Sequence, residues 1–525
     1  MSLITHQISN DKKLALVLFS LFFLIFIFSN DGHRFSSDED WAQMQTIKLV
    51  TLEPHPLYEQ DVSKRLYEHP TVYPPTASWM QNSPLCNHPL LCTGVSFAWS
   101  LTEYPFVFIN YHLQLITNDS VVWDFEDFED GHYVYWRNSL DPNFTFLQVF
   151  FGPFYTALSI SIFYLICRTY NFNNKTSLIL TFLLALSTTF WAYSQTSFSS
   201  VSSISFLLLG FFLFRRFENK HSLYYLILGA SSLGFSFMIR NDVILFIIPL
   251  TGLFLIKLLK EKQKIIKLLS YCLPLLLFFY SWKYFQSLRY QNIPDTNELI
   301  SLATPLVYQY SAPSFREGIL GLLFSPGIGL LIFVPILLTV FFSFPSFFNK
   351  NKTHLFFFIT VTFSFVFYFG TLDHWHGLVS WGPRYLLPVI PFMLIPLGAS
   401  IEQRSTKFLL PIILILGGSG FLFNIAYLIQ DVSWFVWGKA GHPEGLFGLG
   451  NHLTDLYIHP ATIWTFEYSQ LTHSLISMTQ NLHVDIFMNK VLGFPLFLTS
   501  LILILIAHYF IIKKLLNSNN LTHKK

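Results

Sequence analysis

The chain has 525 residues, of which 52% are hydrophobic, 18% aromatic and only 12% charged, with a mean hydropathy of +0.46. Soluble domains carry about 25% charged residues, so this composition excludes an ordinary soluble enzyme and a disordered chain. A net charge of +2 provides no basic field for nucleic acid, which leaves an all-α polytopic membrane protein.

A membrane-crossing helix needs about 20 mostly apolar residues. In chain order, twelve stretches qualify, at about 14–29, 147–167, 176–194, 199–214, 222–239, 243–256, 268–284, 327–345, 354–371, 385–400, 408–429 and 491–512. The first follows Lys12 and Lys13, as a signal peptide would. However, Phe28-Ser29-Asn30-Asp31 offers no small-x-small cleavage site, so it reads as an uncleaved anchor. With the N-terminus in the cytoplasm, the cytoplasmic segments hold 20 of the 32 Lys and Arg. Each of those segments holds at least two, as the positive-inside rule asks. Both termini are then cytoplasmic, and the expected location is the cytoplasmic membrane of a bacterium or archaeon.

Two outer segments, 30–146 and about 430–490, are too long for turns and rich in aromatics. Amphipathic helices on the membrane surface are expected in both. The chain divides accordingly into 1–430, a transmembrane unit that includes the first outer loop, and 431–525, the second outer loop with the last span and tail. Acidic residues are lopsided: 26 of the 30 fall on the outer side, so carboxylate chemistry belongs there. Cys86 and Cys92, in the first loop, either pair as a short disulfide in an oxidising compartment or stay reduced. Cys167 and Cys272 read as small core residues.

Just after the first span comes Ser36-Ser37-Asp38-Glu39-Asp40-Trp41. Ser36 and Glu39 have capping-box spacing, which predicts a helix from Ser37 with Trp41, Met44 and Ile47 on one side. Asp38 falls in its first turn, where the positive helix end favours an ionised carboxylate. Acidic residues are also ordinary helix-start signals.

A single span followed by an Asp-Glu pair at the head of a long outer loop resembles the GT-C membrane glycosyltransferases. The likeness is to the protein-O-mannosyltransferase-like and aminoarabinose-transferase-like members (family 39). Further pieces agree in order: Gly152-Pro153-Phe154-Tyr155, Trp191-Ala192-Tyr193-Ser194-Gln195-Thr196, Met238-Ile239-Arg240-Asn241-Asp242, Phe324-Ser325-Pro326-Gly327 and Ser380-Trp381-Gly382-Pro383-Arg384-Tyr385. One departure stands out. Many relatives carry a Glu after the Tyr-Ser-x-Thr stretch, and here Phe198-Ser199-Ser200-Val201-Ser202-Ser203 follows. The acidic run Asp124, Glu126, Asp127, Glu129 and Asp130 is either a substitute source of a second carboxylate or a solvated loop.

The resemblance implies inverting transfer of a sugar from a polyprenyl-phosphate carrier to an acceptor hydroxyl at the extracytoplasmic face. The acceptor would be a lipid, glycan or protein. Such a reaction needs a base for the acceptor proton, alignment of the reacting atoms and cations for the leaving phosphate. Asp38 is then the base and Glu39 its neighbour or orienter. Arg384 is the first choice of phosphate clamp, because a guanidinium suits phosphate oxygens bidentately. Arg240, Lys283 and Arg289 are further outer cations, each a phosphate ligand or a snorkelling anchor. The sequence establishes no cofactor, and a divalent metal is the one candidate. His374 and His376 alternate as a divalent-metal pair would but lack a third ligand, so packing or acceptor binding is the alternative. No phosphate-cradling GxxxxGK[ST] run and no GxSxG elbow occurs. Two other classes compete: a transporter or flippase of lipid-linked glycans, and a non-catalytic scaffold of the same fold. Few buried ionisable groups and no inverted repeat count against the transporter.

Overall fold

A computed structural model describes residues 2–32, 37–52, 96–117, 142–259, 263–289, 315–372, 375–377, 380–403, 406–429, 460–480 and 486–522. The longer helices are α1 (Ser2–Phe28), α2 (Ser37–Thr51), α3 (Phe97–Thr117), α4 (Pro142–Thr169), α5 (Asn174–Leu186), α6 (Ser199–Lys220), α7 (Leu223–Ile239), α8 (Ile244–Leu258) and α9 (Lys264–Arg289). They continue as α10 (Phe315–Phe324), α11 (Leu338–Gly370), α12 (the broken stretch Arg384–Glu402), α13 (Thr406–Ile429), α14 (Gln470–Gln480) and α15 (Phe494–Thr522). No strand occurs among the described residues.

Among the described residues, eight helical stretches are long and apolar enough to cross a membrane, and α5 and α7 are shorter apolar helices. One long stretch, Pro335–Gly370, takes in two of the twelve expected spans and is interrupted at Asn351, whose φ of −138° is not helical. The expected span at 176–194 is also broken: α5 ends at Leu186 and a single turn, Phe190–Tyr193, follows. The two long segments between spans also contain helices among their described residues. The first long loop contributes α2 and α3, and the second contributes Pro460–Trp464, α14 and Phe487–Leu492.

Helices α4, α6 and α7 pack closely because their facing residues are small. Gly210 meets Leu233 and Gly229 so tightly that a Cβ there would lie 2.6 Å from the Leu233 side chain. Buried serines then bond across the gap, Ser203 to Ser236 (3.0 Å) and Ser205 to Ser159 (2.8 Å). Each satisfies a hydroxyl that apolar surroundings would otherwise leave unpaired. The large aromatics fill the space beyond. Phe211 stacks on Phe357 at 5.7 Å, and Phe246 lies 4.9 Å from Phe392.

At the end of the bundle that carries Lys220, three helices meet at a buried carboxylate. Glu218 of α6 takes Arg215, Lys257 of α8 and His354 of α11 (3.2 Å). Arg215 also lies 4.3 Å over the Tyr170 ring and donates to the Thr169 carbonyl. A 22-residue helix is about 33 Å long, so this cluster lies a bundle's length from Ser199, where α6 begins. His508, in the last helix, is a packing residue: its ring bonds Ser20 Oγ of α1 at 3.3 Å.

Candidate functional site

The opposite end of the bundle is organised around the turn Ser194–Phe198. The backbone comes very close to α4 there. A Cβ on Gly152 would sit 2.2 Å from the Ser194 carbonyl oxygen and 2.5 Å from that of Thr196, so only glycine admits the turn. The turn is also tied to the end of α1. Trp191 Nε1 donates to Ser29 Oγ (2.8 Å) and Gln195 Nε2 to the Ser29 carbonyl (2.7 Å).

Glu39 reaches this turn from α2. Its Oε1 accepts from both the backbone N–H and the hydroxyl of Ser197, the latter at 3.0 Å. Ser197 is bonded on its other sides by Trp99 Nε1, at its carbonyl (3.0 Å), and by Gln148 Nε2, at its hydroxyl (3.4 Å). Asn30 in turn donates to the Gln148 carbonyl (3.2 Å). Glu39 is fully buried, and a buried carboxylate is stable only with such donors. The helix does start at Ser37 as its spacing predicts. Its buried face, however, is polar: Glu39, Gln43, Gln45 and Thr46 are inaccessible, together with Ala42 and Ile47. The apolar side proposed from Trp41, Met44 and Ile47 is therefore represented, among described side chains, by Ile47 alone.

Phe198, the next residue, lies under Arg384. The guanidinium is 5.1 Å from the Phe198 ring and 5.2 Å from that of Tyr385, and Tyr385 itself stacks parallel on Phe369 at 4.3 Å. Arg384 thus lies over two aromatic rings, and such cation–π contacts favour a guanidinium there. The loop before it turns through Gly377 and Gly382, at φ +76° and +65°, which favour glycine. Gln470 of α14 clamps that loop, its Nε2 donating to the Ser380 carbonyl (3.0 Å) and to the Gly327 carbonyl (2.8 Å). The Ser-Pro-Gly turn and the Ser380–Tyr385 stretch, remote in sequence, are thereby joined.

Arg240, at the end of α7, is within electrostatic reach of Arg384 and is neutralised by Asp242 through bonds of 2.6 and 3.0 Å. Burial works against its charge, and the Asp242 carboxylate more than compensates, so its pKa stands above the ordinary value. Two of the four expected cations therefore converge. Lys283 is exposed on α9, and the side chain of Arg289 lies outside the described residues.

Asp38 stands on α2 immediately before Glu39, but its side chain lies outside the described residues, as do Cys86, Cys92, Asp124, Asp127, Asp130 and His374. His376 is buried. Among the described residues no group of three His, Cys, Asp or Glu side chains is arranged to hold a metal. Cys167 and Cys272 are free thiols, the first buried.

Sequence reasoning missed Glu103, a fully buried carboxyl on α3 that lies close to Glu39. Its signal was present in the sequence: it is the only ionisable acid in Phe97–Thr117, an otherwise apolar and aromatic helix, where an acid is costly. Ser197 and Phe198 were missed as well, because a turn's hydrogen-bond partners have no local signature.

The fold defines a polytopic α-helical integral membrane protein, with a polar, cation-bearing site around the turn Ser194–Phe198. No family model matches the chain, and no curated protein matches it. Among solved structures it is similar to ArnT from Cupriavidus metallidurans bound to undecaprenyl phosphate, at 13% identity over 89% of this chain and 78% of that one, with a TM-score of 0.47.

Proposed function

We propose that the protein is an inverting glycosyltransferase that moves a sugar from a polyprenyl-phosphate carrier to an acceptor hydroxyl at the extracytoplasmic face. The observation that supports this reading most is the convergence of three elements. The acidic start of α2 is bonded to the turn Ser194–Phe198, and that turn supports Arg384 beside Arg240. In this reading Asp38 accepts the acceptor proton. Arg384 and Arg240 stabilise the phosphate that departs, and the lipid carrier enters sideways between helices. Glu39 takes a different part from Asp38. Its carboxylate is committed to Ser197, so it fixes the helix on which Asp38 stands.

The buried Arg215–Glu218–Lys257–His354 cluster supports a transferase over a transporter. It ties α6, α8 and the stretch of α11 just after Asn351 together at the far end of the bundle, and alternating access would have to part such a contact. The deciding measurement is transfer of labelled sugar from a polyprenyl-phosphate donor in proteoliposomes. Asp38→Asn and Arg384→Ala are expected to abolish transfer while inserting normally. Full activity of Asp38→Asn removes Asp38 as the base. Donor translocation without any transfer by the native protein replaces the reading with the transporter.

A further inference from the structure

Gln470, on α14, is 3% exposed and directs both of its N–H donors at turns from elsewhere in the chain. A side-chain amide has two such hydrogens. Nε2 donates to the Gly327 carbonyl (2.8 Å) and to the Ser380 carbonyl (3.0 Å). Because both acceptors are carbonyls, the amide can face them only with its nitrogen. Oε1 is then left buried without a bond among the described residues. An unbonded buried oxygen is costly, so the two donated bonds are what a glutamine contributes at this position.

From Ser380 the bonding continues to Arg384. The Ser380 hydroxyl donates to the Gly382 carbonyl (3.2 Å), and the same carbonyl accepts the Arg384 backbone N–H (3.0 Å). The turn also packs on the arginine stem, since a Cβ on Gly377 would lie 3.2 Å from Arg384 Cγ. Gly377 and Gly382 both have positive φ. Glycine has the most backbone freedom to lose, so this loop depends on outside bonds to keep one shape. Gly327 is the fixed end of the arrangement. Its N–H donates to the Ile463 carbonyl (3.0 Å), and a Cβ on it would run into the Thr462 carbonyl oxygen. Residues 460–470 therefore hold the Ser325–Gly327 turn through Ile463 and Gln470, and the Arg384 loop through Gln470.

We propose that Gln470 is a positioning residue for Arg384, and that through it the long segment before the last span supplies a working part of the site. The inference rests on the reading that Arg384 stabilises the departing phosphate, and adds the element that sets its place. Without the two donors the Ser380 carbonyl loses its partner and the loop relaxes. The guanidinium then shifts from its place over Phe198 and Tyr385. Charge on the phosphate grows as the sugar leaves, so a displaced cation weakens the transition state more than the bound donor.

The test uses Gln470→Met, which keeps the bulk and removes both donors, in the full chain in nanodiscs. Amide hydrogen exchange over residues 380–387 should quicken about tenfold, the effect of one lost hydrogen bond, while residues 215–220 exchange as before. Transfer from a polyprenyl-phosphate donor should fall about 10²-fold in kcat, as a small misplacement of a reacting group causes, with the donor KM unchanged. The double variant with Arg384→Lys separates positioning from general support. A residue that acts through Arg384 should add little to the Arg384→Lys loss. Losses that multiply in full, or unchanged exchange over 380–387, overturn the proposal. If Gln470→Met does not fold, Gln470→Asn takes its place with the same expected outcomes, because its amide falls one methylene short of the two carbonyls. If the native protein transfers no sugar, the transferase reading fails, and the exchange measurement alone decides whether Gln470 holds the loop.

Discussion

Ser197 gives both its backbone N–H and its hydroxyl to a single carboxylate oxygen of Glu39, across 158 residues of chain. The contact joins the first helix of the long loop to the turn between α5 and α6. The carboxylate near the turn comes here from α2.

Glu39→Ala should leave the Ser197 N–H buried and unbonded. The expected loss is about 1–3 kcal/mol, read as a lower unfolding temperature in nanodiscs. Glu39→Gln, which still offers an oxygen, should lose less. Equal losses would show that the carboxylate's bonds to Ser197 do not hold the turn.

Gly152→Ala should force the Ser194–Phe198 turn away from α4, because backbone oxygens at 2.2 and 2.5 Å cannot move independently. Overpacking of this kind costs about 1–3 kcal/mol. Gly252→Ala is the control. Nothing lies within 4 Å of its added Cβ, and alanine in a helix gains about 0.5–1 kcal/mol over glycine. A Gly152→Ala protein as stable as Gly252→Ala would refute the close approach.

Arg384→Lys keeps the charge but loses the guanidinium that lies over Phe198 and Tyr385. Transfer should fall by about 10²-fold, in the range seen when one preorganised donor is removed from a reaction site, with the fold retained. Wild-type rates in Arg384→Lys would mean that charge alone suffices there.

Glu218→Ala should destabilise the far end of the bundle strongly. It would leave Arg215 and Lys257 without their carboxylate, and breaking a buried ion pair costs about 3–5 kcal/mol. Lys257→Met should cost less, since the Lys257 side chain is 34% exposed against 9% for Arg215. The order of the two unfolding temperatures is the check.

Much of the fold could be read locally. The apolar stretches, the start of α2 at Ser37 and the surface helices of both long loops follow from patterns within one or two turns of chain. The breaks were harder to read. Residues 176–194 look like one span, yet Thr188 and Thr189 stand where α5 gives way to the turn Phe190–Tyr193. Asn424 reaches from α13 to bond the Leu186 and Thr188 carbonyls exposed by that break. Helix ends inside a bundle depend on such distant donors. In the candidate site, Arg384 and Arg240 were legible as residue types at predicted helix ends. Glu103 stands alone in its helix, and its approach to Glu39 has no signature along the chain.

The sequence by itself determined that the chain lives in a membrane and roughly where it crosses, because apolarity over about 20 residues is a local property. The charges of the loops also set the expectation that most acids lie at one end of the bundle. Only the tertiary structure decided which carboxyls meet. Glu39 and Glu103 become a pair because α2 folds onto α3. Arg384 and Arg240 become neighbours because α12 and the end of α7 share one end of the bundle. Electrostatic pairing and burial depend on distance in space, and no spacing along a chain encodes that distance.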